Sequence, residues 1–221
     1  MKKAAVVMMM GLSLVWTSSA SAGPTYNPVG PQTNVLISAV LAGGWTQCYS
    51  APYGQFGPTV VSAVSGFTGD LMMLAGAANG SSDLSVLAWA PTVDVMFNTG
   101  FSDTPHDANG SGWYFSDNFS WGFAPAGAPI SRGSCDYRAS TSITGVDATT
   151  AKRLCWHTRA GSMTGGWRVG AVDDLYLEPS GYTKYIFTAN SAANNVPEPE
   201  TMTLLGQGIL AGTLARRRRK A

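Results

Sequence analysis

A mainly β fold, a single β-sandwich or barrel-like domain with one or two short helices, follows from three observations on this sequence. Gly and Pro are frequent, 26 and 12 of 221 residues. Short apolar runs alternate with turn clusters of Gly, Ser, Asn and Asp, the punctuation of sandwiches and barrels. No long stretch repeats its apolar residues at helical spacing, and no repeat of fixed period is present.

Taken in chain order, residues 23–34 are rich in Pro and Gly and read as an extended leader. Residues 35–41 form a short apolar run, strand or helix, which periodicity alone does not decide. Residues 58–64 open a short helix with Pro58 in its first turn. Residues 70–75 and 84–90 are apolar runs joined through Asn79-Gly80, a hairpin signal. Further short strands are expected at 93–97, 112–115, 119–123, 153–157, 167–169, 175–177 and 182–188. The domain is expected to span 23–187, with a small polar linker over 188–195.

Both ends of the chain read as addresses rather than as fold. At the start, Lys2 and Lys3 precede an uncharged, mostly apolar stretch from Ala4 to Trp16. Ala20-Ser21-Ala22 then offers a small-residue cleavage site, so residues 1–22 have the three parts of a secretory signal peptide. At the other end, residues 196–221 combine Pro197-Glu198-Pro199, an uncharged run over 202–215 and the cations Arg216, Arg217, Arg218, Arg219 and Lys220. That order resembles the PEP-CTERM sorting signal, handled in Gram-negative bacteria by membrane proteases called exosortases. The physics agrees. A helix over 202–215 would be roughly 21 Å long, short of the ~30 Å hydrocarbon core, and snorkelling arginines can cover the mismatch. The basic cluster keeps its end cytoplasmic, which leaves everything before Pro197 across the membrane. The resemblance implies signal peptidase and exosortase as processing partners. It also implies transient anchoring in the inner membrane, then the cell surface or extracellular matrix.

With the ends set aside, about 170 residues remain, enough for one domain with a sizeable core. Seven of the 14 Lys and Arg but only two of the 13 acids lie in those ends, so the body is acidic, near −4. No Lys or Arg occurs between Lys3 and Arg132, a gap that holds Asp70, Asp83, Asp94, Asp103, Asp107 and Asp117. Nucleic-acid binding needs a basic footprint and is excluded as a function class.

Cys48, Cys135 and Cys155 allow one disulfide in three pairings, with one thiol left over, either buried or linked to a second chain. A Cys135–Cys155 bridge would stabilise by about 3 kcal/mol through loop closure. Catalytic signatures are missing. No Gly-x-Ser-x-Gly elbow or phosphate loop occurs, and the two histidines, His106 and His157, cannot form His-x-x-x-His. Cys155 and His157 share a strand face, where a bridged cysteine in a half-buried strand is the plainer reading than a thiol nucleophile.

The most polar loop runs from Asp103 to Gly112. Asp107, Asn109 and Ser111 followed by Gly112 match the opening of a calcium loop, but Asn118 stands where a bidentate Glu belongs. A looser Ca²⁺ site over Asp103, Asp107, Asn109 and Asp117 competes with an Asx-rich turn. Otherwise no cofactor is expected. Aromatic residues follow: Phe119 and Phe123 are expected in the core, and Trp113 and Tyr114, bordering the polar loop, are the ligand-binding candidates.

The segments 109–114 with 120–127, and 154–158 with 165–168, are similar to patterns in bacterial extracellular domains of no assigned activity. That resemblance implies an all-β surface domain and transfers no functional residue. Two functions follow as expectations. One is a non-enzymatic surface or matrix protein associated with exopolysaccharide. The other is an exported polysaccharide hydrolase using Asp residues of 103–117.

Overall fold

Strand alternation places apolar side chains on two facing sheets, and a computed structural model shows how they meet. It describes residues 22–55, 62, 64–117, 119–136, 149–158, 166–174 and 181–192. Residues Ala22–Ala193 make one compact unit. Eleven strands among the described residues form two sheets. The first holds β1 (Gln32–Leu36), β2 (Thr46–Pro52), β3 (Leu71–Ala78), β4 (Asp83–Pro91) and β11 (Tyr182–Ala189), in the spatial order β1-β4-β3-β11-β2. The second runs β10-β9-β8-β7-β6-β5, from β5 (His106–Ala108), β6 (Ser111–Phe115), β7 (Ser120–Pro125), β8 (Leu154–His157), β9 (Trp167–Val169) and β10 (Val172–Asp174). Every strand pairing is antiparallel. The fold is therefore the expected mainly β sandwich, with the short helices α1 (Ile37–Ala42) and α2 (Thr92–Val95) fully described.

The period of two decides which residues meet between the sheets. Met72, Leu74, Val86, Ala88 and Ile186 of the first sheet face Trp113, Phe115, Trp121, Phe123, Leu154, Trp156 and Val169 of the second. Rings interlock there, with Trp121 against Phe115 at 5.0 Å and against Trp156 at 5.9 Å between centroids. Lys184 is also buried in this layer, where its ammonium donates to the carbonyls of Tyr53 and Gln55 and lies 5.8 Å from the Trp156 ring centre. Desolvation lowers its pKa to about 7.

Several expectations hold. The 70–75 and 84–90 runs are β3 and β4, joined through Gly80 at φ +75°. The runs at 112–115, 119–123, 153–157, 167–169 and 182–188 fall in β6, β7, β8, β9 and β11. The ambiguous run 35–41 is both strand and helix, the end of β1 leading into α1.

Others are corrected. Residues 93–97 are not a strand. Thr92 opens α2 because its amide and hydroxyl both donate to the Gly69–Asp70 backbone, and Val95 turns into the core. These tertiary contacts outweigh the β preference of a Val-Asp-Val segment. β2, β5 and β10 carry too little alternation to be seen in sequence. β11 runs to Ala189, inside the expected linker, and Ser191 is still tied to the Asp70 carboxylate. The strand at 175–177, the signal peptide up to Ser21 and the tail from Val196 lie outside the described residues. Of 58–64, Ser62 and Val64 are described, and both are helical. Among the described residues, no helix is long and apolar enough to cross a membrane.

Candidate functional site

Residues 103–117 are built as a hairpin rather than an open loop. β5 pairs with β6, Ala108 opposite Ser111, through the two-residue turn Asn109-Gly110. Both turn residues have positive φ, 46° and 72°, the conformation that makes Asn-Gly the preferred tight hairpin turn. A Cβ on Gly110 would come within 2.9 Å of the Gly30 amide, so close backbone approach also requires glycine there. The Asn109 side-chain amide donates to the carbonyls of Pro28 and Trp89 at 3.1 and 2.9 Å, tying the turn to the leader and to β4.

The expected calcium residues are thereby dispersed. Asn109 is occupied as a donor, Asp103 accepts the Arg132 backbone amide at 3.0 Å, Asp107 pairs with Gly112 along the ladder, and Asp117 is exposed at the following turn. Among the described residues, no group of three or more His, Cys, Asp or Glu gathers to hold a metal ion.

The ligand-binding expectation for Trp113 and Tyr114 is corrected, because both are fully buried. Trp113 points between the sheets, packs on Phe123 at 5.3 Å and donates its indole N–H to the Ala108 carbonyl at 3.1 Å. Tyr114 points to the outer face of the second sheet. There Gly122 on the neighbouring strand lets the ring lie across it, since a Cβ at Gly122 would stand 2.7 Å from the tyrosine oxygen. Phe123 is core as expected, whereas Phe119 is half-buried just before β7.

That outer face carries a cluster which the sequence reading missed. Arg153 and Arg168 are fully buried and converge on Asp136. Arg153 Nη1 lies 3.2 Å from Asp136 Oδ2, and Arg168 donates through Nε and Nη2 to the Asp136 carbonyl at 2.8 and 2.6 Å. Arg168 Nη2 also meets Asp173 Oδ2 at 2.5 Å, and the Tyr114 hydroxyl lies 3.3 Å from the Asp136 carboxylate. Burial raises the Asp136 pKa, while the Ser131 amide and the two guanidiniums pull it back. Burial likewise lowers the Arg168 pKa and lifts that of Tyr114 well above its ordinary value.

A disulfide between Cys135 and Cys155 of β8 holds this segment down. Cys135 and Asp136 both take positive φ, 51° and 57°, so the bond fixes a turn that the chain would not hold by preference. Cys48 is the free thiol among the described residues, half-buried on β2 and within 3.5 Å of the Ile186 carbonyl and the Thr188 hydroxyl. Burial raises its pKa. The signal for the cluster was present in the sequence: Arg153 and Arg168 alternate with Leu154, Trp167 and Val169 at strand period. An outward position on a sheet with one wet face would be an exposed arginine. This sheet is covered on both faces.

Comparison with known proteins concerns the tail. Residues 195–220 match the model of the PEP-CTERM protein-sorting motif. The chain therefore carries that motif, which implies an exported, membrane-transiting protein processed by exosortase. No curated protein matches the chain. No solved structure matches it.

Proposed function

We propose that the chain is a non-enzymatic protein of the cell surface or extracellular matrix of a Gram-negative bacterium, associated with exopolysaccharide. The observation that carries this reading is the sorting motif at residues 195–220. Residues 1–22 act as a signal peptide cut by signal peptidase after Ala22, and 202–215 hold the chain in the inner membrane until exosortase cuts near Pro197-Glu198-Pro199. Two properties of the body support life outside the cytoplasm. It is acidic and lacks a basic footprint, and it carries a disulfide, a bond that persists in oxidising compartments.

Cell fractionation with intact-mass measurement tests the sorting. The wild-type protein is expected to lose residues 216–220, Glu198→Ala to accumulate with its tail attached, and a chain truncated after Asn195 to skip the membrane stage. A surface-exposed wild-type chain that still carries Arg216 overturns the reading.

A further inference from the structure

Among the described residues, the two aromatic side chains that stand at least half in solvent are Phe97, 50% exposed, and Phe101, 75% exposed. They fall four residues apart, on a segment that closes the edge of the sandwich beside β5. Isolated apolar side chains on a surface mean little. These two are held in place. Phe97 stacks on His106 with ring centres 4.4 Å apart and planes 19° from parallel, and His106 Nε2 meets Asp94 Oδ1 at 2.7 Å. Phe101 sets its ring edge-on to Phe119 at 5.3 Å.

The support beneath is buried and specific. α2 is anchored by the Trp121 indole N–H donating to the Val95 carbonyl at 3.1 Å. Between the two rings, the Thr99 amide donates to the Phe115 carbonyl at 3.1 Å. Buried Arg132 donates through Nη1 to the Thr99 hydroxyl at 2.7 Å, through its backbone amide to Asp103, and lies over the Phe119 ring at 5.5 Å. Val93, four residues before Phe97, is also exposed, at 77%.

Near the rings in the chain are Asp94, Ser102, Asp103 and Thr104, of which Asp94 bonds the His106 ring stacked on Phe97 and Asp103 accepts the Arg132 amide. The exposed cation among the described residues, Lys152, precedes β8, whose far end pairs with Ser120 next to Phe119. Resting on the surface-protein reading above, we propose that Phe97 and Phe101 form a binding platform for a neutral polysaccharide. The C–H faces of its sugar rings stack on the two phenyl groups, and its hydroxyls donate to Asp94 and Asp103.

Charge selects this occupant. An acidic polymer or an anionic membrane would meet the Asp94 and Asp103 carboxylates, beside which no exposed lysine or arginine stands among the described residues. A symmetric pairing with a second copy would bring Asp94 and Asp103 toward their own counterparts. A neutral polyol meets neither obstacle.

Retention of the exported protein, as its host processes it, on insoluble cellulose, β-1,3-glucan and mannan tests the proposal, with polygalacturonate as the acidic control. Binding is expected on at least one neutral polymer and not on polygalacturonate. An aromatic contact of about 0.5–1.5 kcal/mol corresponds to a roughly 2- to 10-fold loss of affinity for Phe97→Ala or Phe101→Ala, with the melting temperature unchanged. Phe101→Trp is expected to keep or improve retention. Three results overturn the platform: no retention on any neutral polymer, retention indifferent to both alanine variants, or a concentration-dependent dimer that Phe101→Ala abolishes. If binding fails while the tail is still removed, the platform falls and the sorting reading stands. If the tail is retained at the surface, the sorting reading falls whatever the polymers show.

Discussion

The two sheets cover their outer faces with opposite chemistry. Over the first sheet, Met73, Ala75, Leu87 and Phe187 are sealed by Val40 of α1, Trp45 and the leader residue Tyr26. Polar groups there are few and bond locally: the Trp45 and Trp89 indoles donate to the carbonyls of Tyr26 and Pro28 at 2.7 and 2.8 Å. Over the second sheet the cover is ionic, with Arg153, Arg168, Asp136 and Asp173 all buried and the Cys135–Cys155 bond beside them. The apolar cover is held by many small, interchangeable contacts. The ionic cover hangs on two carboxylates, Asp136 on Arg153 and Asp173 on Arg168, and one covalent bond, because a buried guanidinium without its counter-charge costs far more than the pair returns.

The largest effect that separates the two faces is expected at Asp136. Asp136→Ala leaves buried Arg153 without its carboxylate, while Arg168 keeps Asp173 and the backbone carbonyl of residue 136, and should cost on the order of 3–5 kcal/mol, read by urea unfolding. A loss below about 1 kcal/mol would show that the cluster is hydrated and that the contrast is false.

Next comes the disulfide. Replacing Cys135 and Cys155 together by serine should cost about 3 kcal/mol. Combined with Asp136→Ala the losses should fall short of additive, because both act through one turn. Strict additivity in the double-mutant cycle would uncouple bond from cluster. Thiol titration of the exported protein should find one free thiol per chain, that of Cys48.

Lys184, in the layer between the sheets, sharpens the comparison with pH. Its folded pKa of about 7 lies below the ordinary 10.5. Between those values the unfolded chain holds a proton that the folded one lacks, so stability rises with pH across that window. Below pH 7 both states are protonated and this contribution is flat. The slope should approach ~1.4 kcal/mol per pH unit and vanish in Lys184→Met. A wild-type profile parallel to that of Lys184→Met from pH 7 to 10 would refute the shift.

The smallest effect is on the apolar face. Trp45→Phe keeps an aromatic ring and loses one hydrogen bond, an expected ~1 kcal/mol by thermal unfolding. A larger loss would give that face a polar keystone of its own.

Particular residues show what could be read in advance. Strand positions such as Met72, Leu74, Trp121 and Phe123 alternate as a buried sheet face must, and Asn79-Gly80 announces its hairpin. Asn109-Gly110 announces one as well, but the acids around it drew attention to calcium, because one spacing serves both an Asx-rich turn and a metal loop. Trp113 and Tyr114 show the limit of alternation, which separates two faces without saying whether either is wet. The aromatic platform was invisible for a related reason: Phe97 and Phe101 look like strand and loop residues until α2 and Arg132 set them outward.

By itself the sequence determined the sorting motif, with the export it implies, and the class of fold. The sorting tail is linear information, legible in residue order, and the strand period is local, set by steric alternation along the backbone. Only the tertiary structure decided that both sheets are covered, that Arg153 and Arg168 share Asp136 across the disulfide, and that Trp113 is core while Phe101 is surface. Those outcomes depend on which distant segments fold over a face. Burial and ion pairing are properties of that enclosure, which no window of the chain contains.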